Sequence, residues 1–155
     1  MDEKRALLRH MLATIAYRTV RALEDSTPAF AAYAGAGKRP DQILAHMGDL
    51  FDCALSMFAG QPLWQNSAAL DWDAEQLRFF GSLRRFDEFL AGTEELHAPM
   101  ERLAQGPVAD ALTHVGQLAM LRRMAGTPTR GENFYVASIA TGQTGPEQPG
   151  PVKTF

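Results

Sequence analysis

Apolar residues recur at spacings of three and four along four stretches of this chain, and no segment alternates convincingly between apolar and polar. That periodicity commits the backbone to helices, each with one apolar stripe that must be buried against another element. The first stretch runs from about Asp2 to Asp25, with Leu8, Met11, Leu12, Ile15, Thr19 and Leu23 on the stripe. Lys4, Arg5, Arg9, Arg18 and Arg21 take its other faces. Ser26-Thr27-Pro28 ends it and starts a short helical turn towards Tyr33.

The loop Gly35-Ala36-Gly37-Lys38-Arg39-Pro40 separates this helix from a second, which starts at Pro40 or Asp41. Its stripe is Ile43, Met47, Leu50, Phe51, Ala54 and Phe58, and Gly60-Gln61-Pro62 stops it. In the connection from Leu63 to Leu70, Trp64 is expected to anchor the chain to the core. Asp71 or Asp73 caps a third helix, which ends near Ala91 with Gly92 as its stop. Leu77, Phe80, Leu83, Phe86, Phe89 and Leu90 supply its apolar contacts.

Ala98 to Ala104 can add a helical turn or two. A fourth long helix then begins at Pro107, a favoured first position, and closes at Gly126. Beyond Thr127-Pro128 only Asn133 to Ala140 looks regular. The expected architecture is all-α, a four-helix bundle. Residues 1–141 would form a single domain with a packed C-terminal segment, and 142–155 an extended or flexible tail.

The composition excludes several classes. The chain's 155 residues are 46% hydrophobic and 21% charged, which is a globular balance. It has no apolar run of the roughly 18 residues that a membrane span needs. Fifteen basic against eighteen acidic residues give a net charge of −3, so the strongly basic footprint of a nucleic-acid binder is missing. Asp2 and Glu3 do not suit a signal peptide, and the single cysteine, Cys53, cannot form an internal disulfide. A cytoplasmic protein with no nucleic-acid or membrane partner is expected. Phosphate-binding glycine loops, nucleophile elbows, Cys-x-x-Cys pairs and His-Glu-x-x-His helices are all missing from the sequence.

The chemistry on offer lies in the four histidines. Asp110 and His114 are four apart on the fourth helix and can reach a common point, one as an oxygen and the other as a nitrogen donor. Bundle sites often complete such a pair from a facing helix, and His46, near the start of the second helix, can serve. It lies roughly 90° from the centre of its apolar stripe. On spacing alone the pattern is weak, and Asp110, Thr113, His114 and Gln117 read first as a solvated helix face.

Asp49, three residues after His46, is a candidate to orient its imidazole, or an exposed acid. Gln117 can hydrogen-bond a ligand or water. Cys53 reads as a buried, inert thiol, His10 as a flank residue, and His97 has no assigned role. Arg122 and Arg123 suit the end of a helix dipole. Edge packing is the first reading of the segment with Glu132, Asn133 and Tyr135, and a cover over the mouth of a site the second.

Asp110-Ala-Leu-Thr-His114-Val-Gly-Gln117-Leu-Ala-Met-Leu-Arg122 and Ile43-Leu-Ala-His46-Met-Gly-Asp49-Leu50 resemble signature segments of the DinB-like superfamily. The resemblance extends over roughly residues 1–126. It implies an up-down-down-up bundle with a long crossover and a metal triad: one histidine early in the second helix and a His-x-x-x-His pair in the fourth. His114, within its His-x-Gly-Gln tetrad, corresponds to the second histidine of that pair. Asp110 replaces the first, which makes the site more anionic.

The implied ligand set is His46, Asp110 and His114 holding a divalent ion, Zn²⁺ or Ni²⁺, with open positions for water or substrate. The superfamily includes thiol-dependent transferases and isomerases, some using bacillithiol or mycothiol. Metal-assisted thiol transfer or hydrolysis on a small substrate is therefore implied, with a low-molecular-weight thiol as a further cofactor. A homodimer paired through Met- and Phe-rich helix faces is implied as well. The rival expectation is a non-catalytic, ligand-binding or stress-associated bundle whose metal site has degraded at Asp110.

Overall fold

The computed structural model describes residues 2–35 and 37–155, so Ala36 in the first expected loop, and Met1, lie outside the described residues. The architecture is an all-α bundle. Its helices are α1 (Glu3–Leu23), α2 (Pro28–Ala31), α3 (Pro40–Phe58), α4 (Trp72–Ala91), α5 (Met100–Leu103) and α6 (Ala109–Met124). Among the described residues the only β pairing is an isolated antiparallel bridge between Glu132 and Thr154. No helix among them is long and apolar enough to cross a membrane.

Local chemistry sets the ends. The Asp2 side chain accepts from Lys4 N at the start of α1, and Thr27 does the same for Phe30 N at α2. At α3, Pro40 occupies the first turn and Gln42 Oε1 accepts from Arg39 N at 3.0 Å. Gly60 and Gly126 take the left-handed conformation just past α3 and α6 (φ 72° and 77°), which glycine adopts without a Cβ penalty. Gly92 ends α4 differently, with an extended backbone whose carbonyl accepts from Arg5 Nη1 at 2.8 Å.

The core sits among the four long helices. Leu8, Leu12, Ile15 and Leu23 of α1 meet Ile43, Met47, Phe51 and Phe58 of α3 and Leu118 and Leu121 of α6 in one apolar cluster. In α4 the expected stripe is displaced. Leu77 is 70% exposed, while Phe79, which the sequence did not single out, is fully buried. Trp72 at the start of α4 sets this phase by packing edge-on against Phe30 and donating to Ser26 Oγ at 3.0 Å.

Neighbouring helices are matched residue by residue. Phe51 lies against Phe79 and Phe86, and Phe58 against Phe86 and Phe89, so the α3–α4 partners advance together along both chains. Arg78 and Arg85 keep the same register, pairing with Asp49 and Asp52. Between α1 and α4 the order is reversed: Arg5 reaches Gly92 and Arg9 grips Asp87 with two bonds of 2.9 Å. Between α1 and α6, Arg122 donates to the Glu24 carbonyl at 2.7 Å at one end, and Lys4 pairs with Glu101 near the other.

The approach to α6 corrects the expected start at Pro107. The chain is already helical from Met100 and passes through one widened π turn, Ala104–Val108, before α6 proper. Pro107 has no N–H to give, and its ring would meet the carbonyl four residues back in a regular α-turn. The wider turn accommodates it inside the helical path.

After α6 only Phe134–Val136 form a 3₁₀ turn, so most of the stretch Asn133 to Ala140 is irregular. The rest runs along α1, turns at Thr141–Gly142 and returns, so that Asn133 N donates to the Lys153 carbonyl and Phe155 N to that of Gly131. Tyr17 Oη donates to buried Glu132 at 2.5 Å, the Phe134 ring stands edge-on to Tyr17, and Arg21 donates to the Pro149 carbonyl.

Candidate metal centre

α3 and α6 bring His46, Asp110 and His114 to one point. One ligand atom from each lies within 4.8 Å of the others. His46 Nε2 stands 3.5 Å from Asp110 Oδ2, and His114 Nε2 stands 3.4 Å from Asp110 Oδ1. The two imidazole rings meet at nearly right angles, with centroids 4.8 Å apart. Asp110 and His114 come together because four residues make about one helical turn. His46 joins them because its edge of the α3 stripe faces α6.

The donor set fits a divalent ion. Two ligands held at 2.0–2.1 Å on a tetrahedral ion are themselves about 3.3 Å apart. Each imidazole nitrogen lies near that distance from one Asp110 oxygen, and the separations among the three ligand atoms, up to 4.8 Å, would close on binding. Those separations exceed the usual range of a hydrogen bond. Burial, with the neighbouring His114 and Lys38, pushes the His46 pKa down, against the opposing pull of Asp110. A neutral His46 is the form that can ligate a metal through a ring nitrogen, and Asp110 adds a carboxylate beside it.

Gln117 fixes the second imidazole. Its Oε1 lies 2.8 Å from His114 Nδ1. An amide oxygen only accepts, so Nδ1 carries the proton and Nε2 turns its lone pair to the shared point. Asp49 does not play this part for His46. It is buried and accepts from Ser67 N and Oγ at 2.8 and 2.7 Å and from Arg78 Nη1 at 3.3 Å. It therefore ties the 59–71 connection and α4 to α3.

That tether places a residue the sequence misassigned. Trp64 is 45% exposed rather than a core anchor, and its ring lies edge-on to His46 with centroids 5.6 Å apart. Trp72 is the buried anchor instead. Nothing in the spacing around Trp64 signals this, since the connection has no period.

Cavities open on either side of the triad along the α3–α6 seam. One, of about 500 Å³, is lined by Asp110 and Thr113 together with Leu50, Met57, Trp64 and Pro107. The other, of about 420 Å³, is lined by His114, Gln117, Lys38, Ile43, Met120 and Met124. Cys53 borders the first, where burial raises its thiol pKa and keeps it protonated.

The remaining candidates lie elsewhere. His10 faces Thr141, with Nδ1 to Oγ1 at 3.3 Å, and Glu132 and Phe134 pack on α1 rather than over the triad. Asn133 caps the short 3₁₀ turn, and Tyr135 projects into solvent. Arg122 is buried and binds the Glu24 and Thr127 carbonyls at 2.7 Å, joining the ends of α1 and α6. No family model, curated protein or solved structure matches the chain, so the triad and its two cavities are what bears on function.

Proposed function

We propose that the chain is a metal-dependent bundle of the DinB-like kind, with His46, Asp110 and His114 holding Zn²⁺ or Ni²⁺. Its activity would be transfer or hydrolysis on a small substrate, with a low-molecular-weight thiol as the second reactant in the transfer case. The observation that carries this reading is the convergence of three ligand atoms from two helices beside open cavities. The helix pairings support it. Partners advance together between α3 and α4 and between α1 and α6 but in opposite order between α1 and α4. An up-down-down-up order with residues 59–71 as the long crossover has that pattern.

A divalent ion at this point would supply Lewis acidity towards water or a thiol. The chain's own residues do the rest. Gln117 holds His114 in the tautomer that offers Nε2. Asp110 contributes the one negative charge, and Trp64 shields one side of His46 from water. We also place the protein in the cytoplasm, as a homodimer acting on a small molecule.

Metal content tests this reading. Untagged protein purified without chelator should carry, or take up, one equivalent of Zn²⁺ or Ni²⁺, and His46→Ala and His114→Ala should each lose it. Failure of the wild type to bind Zn²⁺, Ni²⁺ or Mn²⁺ would refute it in favour of a non-catalytic ligand-binding bundle.

A further inference from the structure

The two cavities beside the triad differ in chemistry, and together they describe a ligand. The wall of the first is apolar and partly aromatic: Leu50, Ala54, Met57, Trp64 and Pro107. The second holds the Lys38 ammonium and the Gln117 amide next to His114, over an apolar floor. Asp110 is the one carboxylate lining either cavity among the described residues. A divalent ion at the triad, with Lys38 beside it, outweighs that single negative charge, so the loaded site attracts an anion.

We propose that the site binds a small carboxylate with an aryl or branched-alkyl body. Its anionic group lies at the triad, where the Lys38 charge adds to that of the ion, and its apolar body fills the Trp64–Met57–Pro107 cavity that Asp110 borders. This rests on the metal reading above and adds the ligand class to it. The apolar cavity of about 500 Å³ is roomy enough for a phenyl ring on a short chain. The widened turn Ala104–Val108 contributes Gln105, Gly106 and Pro107 to this wall, directly before the ligand-bearing turn of α6. It is the one place where α6's approach departs from α geometry, and such departures commonly mark functional sites.

Trp64, half exposed on this wall, reports occupancy directly. The experiment first measures metal stoichiometry and then, on the same loaded sample, titrates 4-phenylbutyrate, its neutral amide and acetate. Tryptophan fluorescence and calorimetry follow binding. The amide should bind about tenfold more weakly than the carboxylate. Acetate should bind about a hundredfold more weakly, for want of a buried ring.

Lys38→Gln should remove most of the acid-over-amide preference while keeping the metal equivalent. Trp64→Ala should weaken 4-phenylbutyrate and leave acetate unchanged. Equal affinity for acid and amide, or for the aryl acid and acetate, in protein with a full metal equivalent would overturn this inference and leave the metal reading standing. Protein that takes up no metal fails the first measurement, which overturns the metal reading and this inference with it.

Discussion

The two seams that α3 makes, with α4 and with α6, use polar groups in opposite ways. On the α4 side, Phe51, Phe58, Phe79 and Phe86 pack ring against ring, and every buried charge has partners. Arg78 alone bonds Glu75 at 2.9 Å, the Ala45 carbonyl at 2.7 Å and Asp49 at 3.3 Å. On the α6 side, His46, Asp110 and His114 point at one another across distances too long for hydrogen bonds, between two cavities. A saturated network fixes how two helices pack, whereas an unsaturated one keeps donor atoms available. The first holds α3 rigid so that the second can present His46 at a fixed place.

Breaking the saturated seam should cost most. Arg78→Ala leaves Glu75 and Asp49 buried without their cation, and the expected loss is about 3–5 kcal/mol in urea unfolding. His114→Ala, tested alongside without metal, should cost well under half of that. Equal losses would remove the distinction between the seams.

Metal should reverse the comparison. With free Zn²⁺ at a thousand times its Kd, the wild type should gain about 4 kcal/mol, while His46→Ala gains nothing. A melting temperature indifferent to metal in both proteins would contradict the donor geometry. A smaller effect belongs to Gln117→Leu. It should lower metal affinity about tenfold by releasing His114, with apo stability unchanged because Gln117 is exposed. An affinity equal to wild type would show that His114 needs no such support.

What was legible in the sequence follows the range of the interaction that decides each residue. Pro40, Gly60 and Gly126 punctuate helices through their own backbones, and they were readable. Asp110 and His114 share a helix, so their meeting needed only the helical period. His46 could be proposed but not located, because its approach depends on how α3 packs on α6. Lys38 and Trp64 come from connections without periodicity, and their positions depend on tertiary contacts such as the Asp49–Ser67 bonds. The α4 stripe slipped from Leu77 to Phe79 for a similar reason, since Trp72 sets the phase through contacts with α2 and Ser26.

Cys53 separates the seams most finely, because it sits on α3 with its thiol bordering the α6-side cavity while only 9% exposed. Burial raises its pKa above the ordinary thiol value, against a weaker opposing pull from Ser56. The folded protein therefore keeps the proton at a pH where the unfolded chain has lost it. The stability this contributes is fully present below the unfolded pKa and is lost as pH rises through the folded one. Cys53→Ser should abolish that part of the alkaline loss in urea midpoints measured across the range. In native protein at pH 8, iodoacetamide should modify Cys53 at least about tenfold more slowly than it does in urea. Equal rates would mean that the cavity wall opens freely to solvent, and the contrast between a fixed α3 and its open seam would then fail at its boundary.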